Sequence, residues 1–489
     1  MTRAWMQSFT LILCVLALSC ASMVGCGTVA SVSPTPTAIA SCGNGICDNG
    51  ESSASCPLDC LTVGFNGRIH TTYVNTAGVG DIAIMVAEPK AARYPEGAGV
   101  VVVVSPIFSQ ADGFQTNPNL NSIGLIQVSY LWPGQTDTPT GMRSGGEFDY
   151  GGDKSVQVLQ DVIRFASGQI PDKDGKYLSS IITTMALTTE VGLYAFSDAG
   201  IAAVNVLSID GDNLSNVQYF IGRENPTVDT LTCLEAGYQN EANQPVLNSF
   251  YNYPTSYATD KITLNYANVR WDPNYTDTFS RAVGRPYLDM DGNGDLSSVD
   301  YVFSGRVPVM FGKRYYSVAL VQALLDNGAL TVSTWPADLA TPAEAAHDWP
   351  FRESPNRYSI LRTKMPQLKV MLVFGQNDTF QAAPDKPHIH QAFQGFRFEA
   401  GLWVRLNPDR AYVKAMIPSA GDSFPDNPAN TEPEDWVQIG TYAYPDQDNS
   451  VQLVPLAATA EMADRTHFSR WDENLGQTLY IYFPSTPQP

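Results

Sequence analysis

The chain is poor in positive charge, with 29 Lys and Arg against 49 Asp and Glu among 489 residues and a formal net charge of −20. With this excess of acidic residues, the protein has no positive field to attract the phosphates of nucleic acid or anionic lipid. We therefore expect no nucleic-acid partner. Charged residues make up only 16% of the chain and hydrophobic residues 44%. This balance is typical of a globular protein and excludes an intrinsically disordered chain.

The first apolar run, Phe9–Leu18, follows Arg3 and is too short for a bilayer, which needs about 20 residues. Its length matches the core of a signal peptide. Two segments that end at Cys20 and Cys26 look like bacterial lipoprotein cleavage boxes, with a small residue before the cysteine. We favour Cys26 as the lipidated residue, so residues 1–26 are expected to be a signal peptide. The protein would then be an outer or cell-surface lipoprotein that touches the membrane only through its lipid; secretion after ordinary cleavage is the alternative.

Residues 27–41 are rich in Ser, Thr, Pro and Ala and are expected to form a disordered tether. Residues 42–60 hold four of the eight cysteines in a stretch too polar for a hydrophobic core. We expect two disulfides there, with three pairings open, among Cys42, Cys47, Cys56 and Cys60. A zinc site is the alternative. The pattern resembles the CGNGxC…CPxDC modules of secreted bacterial proteins, which indicates export. Cys233 is expected to be a buried structural thiol.

Residues 289–300 match the twelve-position calcium loop, with oxygen-bearing side chains at alternate positions and a glycine at position 6. The loop resembles those of dockerins, because an Asp stands at position 12 where a Glu is usual. A single loop indicates a structural Ca²⁺ rather than a sensor, and a solvated turn is the alternative. The expected ligands are Asp289, Asp291, Asn293, Asp295 through its main-chain carbonyl, Ser297 through water, and Asp300.

From residue 61 onward, apolar strands alternate with helical patterns. Gly99–Ser105, Gly124–Tyr130 and Leu368–Phe374 are continuous apolar runs, and Ser155–Ala166 carries apolar residues at helical spacing. Continuous apolar strands are typical of a parallel sheet buried on both faces. The pattern therefore predicts an α/β fold, a mostly parallel sheet flanked by helices. Residues 223–365 are too long for an ordinary crossover and are expected to form an inserted lid that contains the calcium loop.

A sharp break at Ser197 separates the predicted strand Val191–Phe196 from the predicted buried helix Ile201–Leu207. A nucleophilic serine on such a tight turn needs small neighbours, and the chain supplies Ala195, Ala199 and Gly200. The segment resembles the small-x-Ser-x-small nucleophile elbow of α/β-hydrolases.

Histidine is scarce, so the search for a general base covers only His70, His347, His388, His390 and His467. His467 lies near the C-terminus, and Asp378 follows the predicted strand Leu368–Phe374. The chain order Ser197, Asp378, His467 is the order that α/β-hydrolases use. We therefore predict these three residues as a catalytic triad.

This order and the strands identify residues 61–489 as similar to an α/β-hydrolase domain, of the esterase or X-prolyl-peptidase-like kind. The resemblance implies that Ser197 attacks a carbonyl, His467 takes its proton and Asp378 orients the imidazole, with no catalytic cofactor. The oxyanion would meet main-chain N–H groups of Asp198 and of Ile107 or Phe108. The loop before Phe108 departs from the family, because many members carry His-Gly there.

The resemblance makes hydrolysis of a small-molecule or polymer carboxylic ester the expected activity. The sequence has no pair of glutamates or other signature for capturing a free amino terminus, which places a peptidase second. A non-catalytic surface-binding protein on a hydrolase fold is the third alternative, since a fold alone does not establish function.

Overall fold

The computed structural model describes residues 67–480, apart from 109–112, 241–243, 259–260, 278–282, 354–355, 379–380, 419, 421–423 and 446–449. The predicted signal peptide, tether and cysteine module lie outside the described residues. Export, the lipid on Cys26 and the two disulfides therefore stay predictions. In the part of the chain that is described, no helix has both the length and the apolar character to cross a bilayer. Cys233 is buried with a free thiol, as expected.

An eight-stranded sheet forms the centre of the fold, in the order β1-β2-β4-β3-β5-β6-β16-β17. The first two pairs in that order, β1 with β2 and β2 with β4, are antiparallel, and the other five pairs are parallel. This arrangement confirms the predicted mostly parallel α/β sheet. The strands are β1 (Gly67–Thr76), β2 (Gly80–Pro89), β3 (Ala98–Val104), β4 (Ile126–Tyr130), β5 (Ala186–Phe196), β6 (Val217–Arg223), β16 (Lys369–Val373) and β17 (Trp403–Leu406).

Helices cover both faces of the sheet. All of β3 is buried, and its alternate side chains enter two different apolar clusters: Val100 and Val102 pack on one side, Val101 and Val103 on the other. The helices are α1 (Asp153–Ala166), α2 (Leu178–Ile181), α3 (Ala199–Asp210), α4 (Thr230–Ala236), α5 (Val318–Asp326), α6 (Pro342–Asp348), α7 (Arg357–Lys364), α8 (Pro387–Gln394), α9 (Arg410–Met416) and α10 (Ser450–His467). Helices α1, α3, α7 and α8 contribute to the first cluster, and α9 and α10 contribute to the second.

The segment between β6 and β16 has an apolar cluster of its own, built largely from aromatic and aliphatic residues between Leu231 and Trp349. Its last helix, α7, instead packs its Tyr358 and Leu361 into the cluster beneath the main sheet. The inserted part therefore ends before α7. Its short strands are β7 (Gly237–Gln239), β8 (Pro245–Leu247), β9 (Tyr257–Ala258), β10 (Lys261–Ile262), β11 (Val269–Asp272), β12 (Arg285–Leu288), β13 (Tyr301–Val302), β14 (Val309–Met310) and β15 (Lys313–Arg314).

A buried ion pair links the chain after β2 to the last helix. The guanidinium of Arg93 donates from Nε and Nη2 to the two carboxylate oxygens of Asp464, over 2.6 and 2.9 Å. Both side chains are completely buried. The hydroxyls of Tyr94 and Tyr412 donate to the same carboxylate over 2.7 and 2.8 Å. Every partner that the carboxylate needs is thus supplied inside the protein, which is the condition for a buried charge to be tolerated.

We predict that Asp464→Ala lowers the free energy of unfolding by about 3–5 kcal/mol, because it leaves the Arg93 charge buried without its partner. Asp472→Ala is the control, since it breaks the exposed pair between Arg470 and Asp472, which is expected to leave the unfolding midpoint nearly unchanged. Urea denaturation of the two variants measures the difference. Equal midpoints would show that the buried pair contributes no more than a surface pair.

Candidate active site

Ser197 lies at the turn between β5 and α3 with φ at 53°, in the left-handed region. A residue with a side chain adopts this conformation at a cost of about 1–3 kcal/mol, so its neighbours must hold it. The N–H of Ser197 donates to the carbonyl of Arg223 over 2.9 Å, and Asn225 Nδ2 donates to the carbonyl of Ser197 over 2.5 Å. The strand, turn and helix predicted around Ser197 are all present.

The small residues around the turn make room for Asn225. A Cβ added to Gly200 would lie 2.4 Å from Asn225 Cγ, and one added to Gly222 would lie 2.5 Å from Asn225 Oδ1. These separations are far below van der Waals contact. Gly200 is therefore needed for the side chain that holds the Ser197 carbonyl, and not only for the turn itself.

Ser197 lines a cavity of about 740 Å³ at the carboxyl ends of β5, β6 and β16. Ligand sites in α/β sheets commonly lie at this edge. The inserted segment contributes part of the wall. Much of that wall is apolar and is formed by Phe108, Phe196, Leu234, Val307, Pro308 and Val309.

The imidazole in this cavity belongs to His388 on α8, and none of the other four histidines lines it. His388 is 2% exposed, and its Nε2 lies 3.1 Å from Glu224 Oε2 and 3.5 Å from Asp378 Oδ2. Asp378, predicted as the triad acid, thus lies in the same cavity as Ser197. Among the described residues no hydrogen bond joins Ser197 Oγ to His388, and His388 Nδ1 is buried without a partner.

Glu224 directly follows β6 and, like Ser197, has a positive φ, 46°. Its Oε1 accepts the N–H of Gly375 over 2.6 Å. Burial disfavours the charged form of Glu224, but the hydrogen bond with His388 and the positive charge of Lys386 outweigh that effect and hold the pKa of the carboxyl below its usual value. Glu224 is therefore an anion that can fix the imidazole of His388.

His467 lies elsewhere, and its assignment as the base for Ser197 is wrong. Its Nδ1 is 3.2 Å from Glu190, its Nε2 is 3.4 Å from Glu96, and its ring stacks on Tyr94 at 3.8 Å. Glu190 lies in β5, seven residues before Ser197, which is about 23 Å of extended chain. Val451, at the start of α10, lines the cavity, but sixteen further helical residues carry the chain about 24 Å to the opposite edge of the sheet.

Sequence reasoning missed Glu224 and His388. Glu224 had a usable signal, because it directly follows the apolar run that forms β6, as Ser197 directly follows β5. His388 had a weaker one, its position ten residues after Asp378 on a short helix. Chain order alone favoured His467. That choice failed because chain order carries no information on which edge of the sheet a helix end reaches.

The predicted oxyanion donors lie beside Ser197 but have a partner already. The N–H of Phe108 donates to Asp198 Oδ2 over 2.7 Å. The N–H groups of Ile107, of Asp198 itself and of Ala199 lie close enough to this carboxylate to lower its pKa. Removal from water raises the pKa of Asp198 to about 6, although these hydrogen bonds oppose the shift. The Asp198 side chain thus lies among the N–H groups that sequence reasoning reserved for the oxyanion.

The predicted calcium loop connects β12 and β13. Carboxylate oxygens of Asp289, Asp291 and Asp300 lie within 4.8 Å of one another. Asp289 is 1% exposed, and its Oδ1 is buried without a hydrogen-bond partner, while its Oδ2 accepts the N–H of Gly294. The side chains of Asn293 and Asp295 are exposed, and Ser297 is at the rim. Asn293 Nδ2 and Ser297 Oγ donate to Asp291 Oδ2 over 2.9 and 3.4 Å, so five of the six predicted ligands are brought together by their side chains.

We predict that Gly200→Ala destabilises the protein by about 1–3 kcal/mol, because the new Cβ overlaps Asn225 and forces the turn to shift. Gly440→Ala is the matched control, since a Cβ there meets no atom within 4 Å. Chemical denaturation measures both variants. Equal stability of the two would contradict the packing assigned to Asn225.

No family model matches this chain, and no curated protein sequence matches it. Solved structures that resemble it include dipeptidyl peptidase 4 of Porphyromonas gingivalis, at 10% identity and a TM-score of 0.32, over 70% of this chain and 31% of the peptidase. The chain thus spans less than a third of the peptidase's length. An esterase of Rhizomucor miehei also resembles it, at 10% identity and a TM-score of 0.33, over 69% of this chain and 72% of the esterase. The α/β-hydrolase GrgF of a Penicillium species resembles it at 11% identity and a TM-score of 0.33, over 69% of this chain and 88% of GrgF. These likenesses concern the fold alone. On its sheet topology and its flanking helices, the chain has the α/β-hydrolase fold.

Proposed function

We propose that this protein is a serine hydrolase that cleaves carboxylic esters, with Ser197 as nucleophile and His388 as general base. The observation that carries the proposal is the meeting of two features in one cavity. The strained serine turn is one, and the buried His388 held by two carboxylates is the other. A backbone strain of this kind recurs at functional sites because the surrounding structure must maintain it.

The carboxylates of Glu224 and Asp378 define which imidazole nitrogen acts. Both face Nε2, so they favour the tautomer with the proton on Nε2 and leave the lone pair on Nδ1. Nδ1 is then the nitrogen that takes the Ser197 proton. Catalytic hydrogen bonds are often long or absent without substrate and tighten when it binds, which is consistent with the unjoined Ser197 and His388.

The reaction would follow the two steps of acyl transfer. Ser197 Oγ attacks the carbonyl carbon while its proton passes to His388, and the tetrahedral intermediate expels the alcohol, which takes that proton. A water molecule then gives a proton to His388 and attacks the acyl-serine. The acid leaves, and the proton returns to Ser197 Oγ.

The apolar wall of the cavity favours an ester with an apolar acyl or alcohol part. Peptidase activity is the competing proposal. A panel of 4-nitrophenyl esters of increasing acyl length, measured beside aminoacyl 4-nitroanilides, separates the two. Turnover of the anilides with the esters left intact would reverse the assignment.

We predict that Ser197→Ala and His388→Gln each lower ester turnover by at least about a thousandfold, because losing a nucleophile or its base typically costs several orders of magnitude. His467→Gln is the matched control and should retain turnover, since it lies at the other edge of the sheet. The readouts are ester hydrolysis and labelling of Ser197 by a fluorophosphonate probe. Near-normal turnover in Ser197→Ala, or loss of turnover only in His467→Gln, would refute the mechanism.

We also propose that the loop between β12 and β13 holds a structural Ca²⁺. Support comes from the three clustered carboxylates and the buried, unpartnered oxygen of Asp289. Like charges this close repel one another unless a cation balances them, and carboxylate oxygens are the ligands that Ca²⁺ prefers. The remaining ligands would be Asn293, the carbonyl of Asp295, and Ser297 through water.

Removal of calcium by a chelator should lower the melting temperature by several degrees, and added Ca²⁺ should restore it. Ion binding only to the folded state adds about 2.7 kcal/mol at a free concentration a hundred times the dissociation constant. The double variant Asp289→Ala, Asp291→Ala should not respond, whereas Asp174→Ala, Asp212→Ala, which removes two exposed carboxylates, should respond like the wild type. An unchanged melting curve in chelator, with no calcium found by elemental analysis, would show that residues 289–300 form a turn that binds no calcium.

A further inference from the structure

The position of the Asp198 carboxylate has a chemical consequence for the proposed hydrolysis. Asp198 follows the nucleophile directly, lines the same cavity, accepts the N–H of Phe108 and lies close to N–H groups of two separate segments of the chain. One segment is the loop after β3, through Ile107 and Phe108, and the other is the serine turn, through the N–H groups of Asp198 itself and of Ala199. Donors from these two segments are the ones a serine hydrolase directs at the oxygen of its tetrahedral intermediate.

We propose that Asp198 occupies the oxyanion site of Ser197 as an internal competing anion, which the carbonyl oxygen of a substrate must displace. This inference rests on the proposed function. A carboxylate carries the same charge as the oxyanion and satisfies the same N–H groups, so the two cannot share the site. Asp198 thereby limits the reactivity of Ser197 and selects substrates able to displace it.

A different role is open to such a carboxylate, as a clamp that holds the loop of Ile107 and Phe108 against the serine turn. The two roles predict opposite effects of removing it. A clamp would leave the loop displaced and Ser197 less reactive. A competing anion would leave the N–H groups free and Ser197 more reactive, because an open donor set stabilises the charge that develops on the substrate oxygen.

Two observations favour the competing anion over the clamp. Asp198 itself lines the cavity, whereas a pure clamp would lie behind the wall. The loop also has other attachments: Ser105 Oγ donates to the carbonyl of Tyr130, and Trp132 Nε1 donates to the carbonyl of Pro106 over 2.8 Å. Ile107 is in addition fully buried in the main apolar cluster. The loop is thus held without Asp198.

The test measures the reactivity of Ser197 in the full chain. The rate constant for labelling by a fluorophosphonate and the dissociation constant of phenylboronic acid are compared in wild type, Asp198→Ala and Asp198→Asn. Both reagents form tetrahedral adducts with a serine, with an oxygen that needs the N–H groups. We expect Asp198→Ala to label at least about tenfold faster and to bind the boronic acid at least about tenfold more tightly, with Asp198→Asn between it and the wild type.

Asp172→Ala is the matched control. Asp172 also holds a loop through main-chain N–H groups, those of Asp174 and Lys176, but it lies outside the cavity. Its removal should lower stability and leave both reagents unaffected. Asp198→Asn, which keeps the shape and one acceptor oxygen, is the variant to use if Asp198→Ala does not fold.

The outcomes separate this inference from the function on which it rests. Labelling of Ser197 in the wild type, with equal or slower labelling of folded Asp198 variants, would overturn the competing anion and support the clamp. Absence of labelling at Ser197 in the wild type and in every Asp198 variant would refute the serine hydrolase, and this inference with it. Ser197→Ala gives the background for both.

Discussion

The left-handed backbone of Ser197 is the constraint on which the rest of the site depends. A strand that enters a helix without a loop must turn within one residue, and the bonds to Arg223 and Asn225 hold that residue from outside the turn. Both partners come from the end of the adjacent parallel strand, β6. Because parallel strands present their carboxyl ends at one edge, the same arrangement that holds the serine also places Glu224 beside it.

Negative charge is concentrated around this edge. Asp198, Glu224 and Asp378 all line the cavity, in a chain that already carries an excess of acids. Asp198 accepts the main-chain N–H of Phe108, whereas Glu224 and Asp378 lie beside the imidazole of His388. An imidazole between two carboxylates is a proton acceptor whose orientation is set, and this is the property that a nucleophilic serine requires.

The inserted segment connects stability to the site. Its own apolar cluster includes Leu288 and Tyr301 on either side of the predicted calcium loop, and Val307 and Val309, which follow in the chain, form part of the cavity wall. An ion that ordered residues 289–300 would therefore stabilise the chain that immediately precedes this wall. The buried pair of Arg93 and Asp464 acts elsewhere, because it fixes the last helix to the opposite side of the sheet. The insertion and the last helix thus depend on separate interactions.

The sequence alone determined the features that depend on neighbours along the chain. Runs such as those of β3 and β5 identified a parallel sheet, because both their faces are apolar. The break at Ser197 identified the serine turn, because a strand and a helix differ in the period of their apolar residues. The alternation of acids in residues 289–300 likewise identified a loop whose carboxylates converge.

Only the tertiary structure decided which distant groups meet at the serine. Chain order favoured His467 over His388, but α10 places His467 at the opposite edge of the sheet and α8 places His388 in the cavity. The contact between Asp198 and Phe108 joins residues 90 positions apart, and no local pattern encodes it. Periodicity reports which face of an element is buried, whereas the partner across a cavity depends on how all the elements pack. The imidazole in the cavity and the partner of the Phe108 N–H therefore came from the fold.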